Sequence, residues 1–373
     1  MYNNLAISKQ TERILNKSFD EELSVDEGKY LMNLKGPEIF PLLATADMLR
    51  SKIVGDNITF IKNANINFTN VCKVRCGFCA FGRDKEDPDA YILDDEAILK
   101  KASFAASRNV REFTLMGGVL PEADIEYYEH LLNLLKSEFP KIEIHGFSPT
   151  MIYEASINSG ISIEDAFKRL RHAGLDTLPG TAAEILVDRT REIICPQKVT
   201  SQEWVDIVKI AQESGCKGSA TMMYGHVETL DERVEHLEIL RNIQKDTGGF
   251  TEFIPMTFMP DYSPIYLEGQ KDLGATGMED LKLYAVARLM FRELIPNIQV
   301  SWVKMGFKFA QVSLMAGTND LGGTLGGDEL SEASGAPDGV DAEVSKLCSI
   351  IKDLGRNPLE RNSTYTEFYE VNL

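Results

Sequence analysis

Three cysteines crowded into eight residues are the first place in this chain where chemistry is legible. Cys72, Cys76 and Cys79 stand in the run Asn67-Phe-Thr-Asn-Val-Cys72-Lys-Val-Arg-Cys76-Gly-Phe-Cys79, spaced C-x₃-C-x₂-C. Thiolates at such spacing are ligands for zinc or an iron–sulfur cluster rather than halves of disulfides, which belong mostly to short secreted chains. Structural zinc normally closes its shell with four ligands, and no fourth Cys or His lies nearby. Three thiolates on a four-iron cube leave one iron open, so a 4Fe–4S cluster with a vacant coordination position is the expected occupant.

Other residues could work beside it, each with a plainer alternative. Gly117 and Gly118 follow an apolar run and either let backbone approach a ligand or make a tight turn. Glu184 is either a hydrogen-bond acceptor for a ligand or an exposed residue at a helix start. His226 and Glu228, just past a core-like run, are candidates to orient substrate or manage a proton, against a structural hydrogen-bonding role. Asn319 and Asp320 either bind polar substrate atoms or shape a turn before glycines. Met222, Met223, Trp204 and Trp302 are expected to pack, and Cys195, Cys216 and Cys348 are scattered thiols.

The elements that must position these residues follow an alternating rhythm. Short β-branched or apolar runs at Ile58–Ile61, Glu112–Leu115, Ile142–Phe147, Leu175–Leu178, Gly218–Met223, Phe253–Phe258, Ile298–Val303 and Val312–Ala316 are expected strands. Between them run helical patterns such as Ile125/Tyr128/Leu132/Leu135, with capping boxes expected at Ser24/Glu27, Thr200/Glu203 and Thr229/Glu232. Eight such repeats predict an α/β fold, a parallel (β/α)8 TIM-type barrel with its site at the C-terminal strand ends. Residues 1–56 are expected to form a helical N-terminal segment, 57–336 the barrel, and 337–373 a C-terminal helical tail.

Composition limits the partners. A net charge of −18 over 373 residues disfavours nucleic acid, whose phosphates call for clustered Lys and Arg. No apolar run nears the roughly 18 residues of a membrane span, and the N-terminus lacks the pattern of a secretory signal, so a cytoplasmic protein is expected.

The C-x₃-C-x₂-C loop with Phe78 before its last cysteine resembles the radical S-adenosylmethionine superfamily. That resemblance implies S-adenosylmethionine chelated at the open iron, Phe78 near its adenine, and Gly117, Gly118, Ser148 and Glu184 among the cofactor contacts. Its reductive cleavage would yield a 5′-deoxyadenosyl radical, which needs an electron donor. Asn65-Ile-Asn-Phe-Thr-Asn-Val-Cys72 is similar to the subgroup making deazaflavins and futalosine intermediates. Within it, Gly174-Leu-Asp-Thr-Leu-Pro-Gly-Thr-Ala-Ala-Glu-Ile-Leu186, Ile194-Cys-Pro-Gln-Lys198, Thr221–Thr229, Gly248–Pro255 and Asn319–Thr324 resemble the 4-hydroxyphenyl transferases of deazaflavin synthesis. The implied reaction takes a hydrogen from the amino group of L-tyrosine and breaks Cα–Cβ. The 4-oxidobenzyl fragment then adds to C5 of 5-amino-6-(D-ribitylamino)uracil, and a CofG-type partner enzyme closes the ring. The futalosine-pathway enzymes are the alternative, though their Gly180–Glu184 turn is typically richer in glycine. Met116 and Leu120 stand where that family usually has Gln and His, and Gly146 where it has Ala.

Overall fold

A computed structural model describes residues 7–269 and 274–371. Its strands are β1 (Asn57–Ile61), β2 (Asn63–Asn67), β3 (Glu112–Met116), β4 (Glu143–Gly146), β5 (Gly218–Tyr224), β6 (Phe250–Thr257), β7 (Asp320–Gly323), β8 (Asn357–Arg361) and β9 (Phe368–Glu370).

Parallel pairing links them in chain order. β2 pairs with β3 and β3 with β4. A bridge from His145 to Thr177 and another from Leu178 to Gly218 carry the pairing to β5. β5 pairs with β6, and bridges Phe253–Ile298 and Gln299–Asp320 reach β7. β7 pairs with β1, and Ala64 bridges to Gly326, which returns the pairing to β2. Parallel strands need long crossovers, and helices fill each interval, among them Asp95–Ser107, Ile125–Glu138, Ser201–Glu213 and Leu230–Thr247. The central strands carry apolar side chains on both faces: all of β5 is buried, as in sheets covered by helices.

The capping boxes at Ser24/Glu27, Thr200/Glu203 and Thr229/Glu232 are all formed, each tying a first-turn amide to a side chain. The N-terminal segment is helical, with Val25–Met32 against Leu230–Thr247 and Ile39–Val54 against Gly277–Phe291. Lys282 donates to the Met32 carbonyl at 2.8 Å, and Arg241 to that of Leu23 at 2.8 Å, which fixes this lead-in to the main body. Trp204 and Trp302 are fully buried, as expected of packing residues.

Two expectations are corrected. Val312–Ala316 is not a strand: Val312 belongs to the helix Trp302–Ser313, and the chain then turns. The strand lies a few residues on, at β7, whose Asp-Leu-Gly-Gly sequence has no β-branched residue to announce it. The C-terminal tail is not purely helical either. After the helix Val344–Asp353 it forms β8 and β9, and β8 pairs parallel with β1 from Asn57/Asn357 to Phe60/Glu360.

Candidate active site

The cysteine loop leaves β2 and is tied down by backbone bonds on several sides. Cys72 N donates to Arg83 O (3.0 Å), Lys73 N to Val119 O (2.9 Å), Gly77 N to Ile194 O (2.8 Å), and Ile265 N to Gly77 O (2.8 Å). The loop is thereby held by the segments after three other strands. Val119 N also donates to Cys72 Sγ at 3.3 Å, which fixes the direction of that side chain.

Gly117 and Gly118 explain how closely the loop can lie. A Cβ on Gly118 would stand 2.2 Å from Val71 O and 2.8 Å from Cys72 Cβ, and one on Gly117 would stand 2.9 Å from Thr69 O. Neither glycine has a positive φ, so close approach rather than turn geometry requires them.

All three cysteines line one cavity of about 220 Å³ together with Phe78, Met116, Gly117, Gly118, Ser148, Thr181, Glu184 and Lys198. All three are free thiols. Ser148 doubles as the N-cap of the helix Pro149–Ser159, accepting from Met151 N at 3.2 Å. Glu184, buried and at φ +45°, accepts a 2.5 Å ion-pair bond from Lys198. The Lys198 ammonium lies 5.0 Å from the Phe78 ring centre. Burial alone would lower the Lys198 pKa, but Cys76, Glu184 and Cys195 together raise it, so it stays a cation. Burial pushes the Cys76 thiol up to about 12, against the pull of Lys198.

The donor set suits an iron–sulfur cluster. Among the described residues no three His, Cys, Asp or Glu side chains gather as a single metal ion requires. Ligands of a cube bind different irons and need not converge on one point. A thiol as buried as Cys76 is a metal ligand only when the metal itself compensates its charge.

A second cavity, also about 220 Å³, adjoins the first and shares Met116, Thr181, Met256, Lys304 and Leu330 with it. Its other walls set the polar side chains of Asn63, Asn65, Glu112, Thr114, His145, Ser219, Thr221, Glu252, Gln299, Asp328 and Arg361 beside apolar Ile61, Pro179, Ile254, Val303 and Leu325. Arg361 bonds Glu252 at 3.1 Å and Asp320 at 2.7 Å, and Tyr365 donates to Glu252 at 2.6 Å. Burial lifts Glu252 to about 7, opposed by Arg361. Burial lowers His145, so its imidazole is neutral, with Nδ1 2.8 Å from Thr177 Oγ1.

His226, Glu228, Asn319 and Asp320 line neither cavity. His226 Nε2 lies 2.9 Å from Met223 O, and Val227 N donates to Nδ1 at 2.8 Å. Glu228 accepts from Gly225 N (2.6 Å), His226 N (2.9 Å) and Arg233 Nε (2.7 Å). Burial would raise Glu228, but His226 and Arg233 outweigh it and bring it to about 2. Both side chains are spent on the turn before the helix Leu230–Thr247. Asn319 takes bonds from Arg288 (2.8 Å) and Ile298 N (2.9 Å) and donates to Asn297 (3.0 Å). Asp320 is fully buried and reaches the polar cavity only through Arg361. Met223, expected only to pack, lines the thiol cavity.

Sequence reasoning did not single out Lys198, Lys304 or the polar wall. Lys198 lay in a motif noticed only for its resemblance. The polar wall comes from residues spread between Asn63 and Arg361, with no spacing to connect them.

A three-thiol loop at the end of a strand, opening on a buried cavity in a parallel α/β fold, defines the radical S-adenosylmethionine class. Residues 66–240 match the radical SAM superfamily and residues 247–372 the CofH/MqnC C-terminal region. The chain is 48% identical to the 5-amino-6-(D-ribitylamino)uracil–L-tyrosine 4-hydroxyphenyl transferase of Methanothermobacter thermautotrophicus, over 98% of this chain and 100% of that one. It is 45% identical to the protein of the same name from Methanopyrus kandleri, over 91% of this chain and 93% of that one. The chain belongs to the CofH family of the radical SAM superfamily. Its fold is similar to that of methylornithine synthase PylB (TM-score 0.72, 19% identity, 92% and 97% of the two chains). It is likewise similar to the hydrogenase maturase HydG of Carboxydothermus hydrogenoformans (TM-score 0.76, 17% identity, 96% and 81%).

Proposed function

We propose that the protein is a radical SAM transferase that joins the 4-hydroxybenzyl group of L-tyrosine to 5-amino-6-(D-ribitylamino)uracil. The observation that carries this reading is the meeting of two cavities, one lined by thiols and one polar, at a shared wall. The family membership supports it.

In this reading the linked parallel pairings close into a (β/α)8 barrel, with the thiol cavity at the C-terminal strand ends and the polar cavity in its interior. Cys72, Cys76 and Cys79 hold a 4Fe–4S cluster, and Phe78, Gly117, Gly118, Ser148, Glu184 and Lys198 line the room for S-adenosylmethionine. When bound there, the two together would supply a 5′-deoxyadenosyl radical as the hydrogen-abstracting agent. Apolar Met116, Met256 and Leu330 on the shared wall exclude water from the path of a reactive species. Asn63, Glu112, Gln299 and Glu252 offer hydrogen bonds to the uracil and ribityl groups. His226, Glu228, Asn319 and Asp320 act as positioning residues for the loops and strands around the site.

The test is anaerobic incubation of cluster-loaded protein with reductant, S-adenosylmethionine, tyrosine and the ribitylaminouracil. A tyrosine-derived adduct of the uracil by mass spectrometry is expected. Intact cluster with no adduct would refute the reading.

A further inference from the structure

Lys304 sits on the wall common to both cavities. Three Lys or Arg side chains line these cavities among the described residues, and two are matched: Lys198 by Glu184, Arg361 by Asp320 and Glu252. Lys304 has no carboxylate within ion-pair distance and no side-chain hydrogen bond. Its backbone amide donates to Ser301 O at 3.1 Å. Burial lowers its pKa, and the nearest opposing fields come from Asp328, Glu184 and Cys79. Lys304 is half-buried, its side chain facing the joined cavities, and a cation in such a recess without a counter-ion fits an anion that arrives from outside.

The local sequence works to put it there. Lys304 lies at the start of the helical segment Trp302–Ser313. Gly306, at φ +78°, breaks that helix one turn in, so Lys304 stands on a short separate turn. Trp302 pins the turn through Nε1 to Gly323 O at 2.9 Å and by stacking on Phe307 at 4.5 Å. The pinned turn thus holds an unpaired lysine at the junction of the two cavities, a pattern expected where function decides the residue.

We infer that Lys304 binds the carboxylate of the amino-acid substrate, a positioning and specificity role that rests on the proposed reaction. Of the two substrates that are joined, the ribitylaminouracil carries no charge and tyrosine carries one carboxylate; the carboxylate of S-adenosylmethionine is the rival occupant that the test separates. An ammonium on the shared wall would hold that carboxylate while the amino group faces the thiol cavity and the phenol lies in the polar one.

The test uses cluster-loaded protein, wild type and the variants Lys304→Met and Lys304→Arg, with tyrosine and tyramine (tyrosine without its carboxylate) as probes. Equilibrium binding is read by calorimetry, and KM values for all three substrates by adduct formation. Wild type should prefer tyrosine to tyramine. K304M should lose that preference, with tyrosine binding weakened about 10- to 100-fold, the worth of one charge-assisted bond. K304R should recover most of it, and KM for S-adenosylmethionine and the uracil should move little. Unchanged tyrosine binding in K304M, or a rise confined to the KM for S-adenosylmethionine, would overturn the assignment while leaving the transferase reading intact. A wild type that neither binds nor consumes tyrosine would overturn both.

Discussion

Replacing Gly118 by alanine should cost the protein its cluster. The added methyl carbon would stand 2.2 Å from Val71 O, 2.7 Å from Val71 C and 2.8 Å from Cys72 Cβ. These are backbone atoms and the root of the Cys72 side chain, so nothing flexible can yield. Restoring ordinary contact means moving the cysteine loop by about 1 Å, which also stretches Gly118 N to Thr69 O and Val119 N to Cys72 Sγ. Overpacking of this kind costs about 1–3 kcal/mol, and a 1 Å displacement of a reacting group can cost about 100-fold in rate. Two neighbours give a graded series. Gly117→Ala, with its nearest backbone oxygen at 2.9 Å, should be intermediate, and Gly82→Ala, 3.5 Å from Cys72 Cβ, should be tolerated. Iron and sulfide per chain after anaerobic reconstitution, with thermal melting as a control for folding, measure the effect. Equal cluster content in G118A and G82A would show that the glycines do not set the position of the loop.

Three further outcomes are expected. Glu228 has its pKa lowered from 4.5 to about 2, so its stabilisation is present above pH 4.5 and fades as pH falls towards 2. Glu228→Gln should therefore lose about 3 kcal/mol near neutrality, with the gap to wild type narrowing through that acid window in denaturant melts. Arg361→Met strands the buried carboxylates of Asp320 and Glu252, and should destabilise the fold by about 3–5 kcal/mol by the same measurement. Lys198→Met leaves Glu184 unpaired in the thiol cavity, and should lower S-adenosylmethionine cleavage by about tenfold or more with iron content retained, assayed as 5′-deoxyadenosine.

What the sequence revealed was what is local in it. The cysteine loop reads directly because its chemistry lies in eight consecutive residues. The strands from Ile58, Glu112, Gly218 and Phe253 read because β-branched and apolar residues cluster there. β7 did not, because Asp-Leu-Gly-Gly carries no such signal and the apolar Val312–Ala316 nearby competed with it. β8 contains Pro358, which normally argues against a strand, yet it is tolerated here in the pairing with β1. His226 and Glu228 were placed correctly at a strand end, but their polar atoms turn back on their own loop. Spacing cannot distinguish a side chain facing the cavity from one facing the turn. The polar cavity is the extreme case, since Glu112, Glu252 and Arg361 meet only after the whole chain has folded.

The C-terminal hairpin has a consequence for how the molecule is made. Ser363 bonds Glu112 and Glu143, Tyr365 bonds Glu252, and Arg361 pairs with Asp320, so this hairpin satisfies acids on four strands that lie far earlier in the chain. β1 likewise waits some 300 residues for β8 to cover its edge. Contacts this remote close late, because their loop entropy must be met first. A chain folded only as far as β7 thus has its base unsealed and these four acids without their hairpin partners, and the docking of β8 and β9 is what closes it.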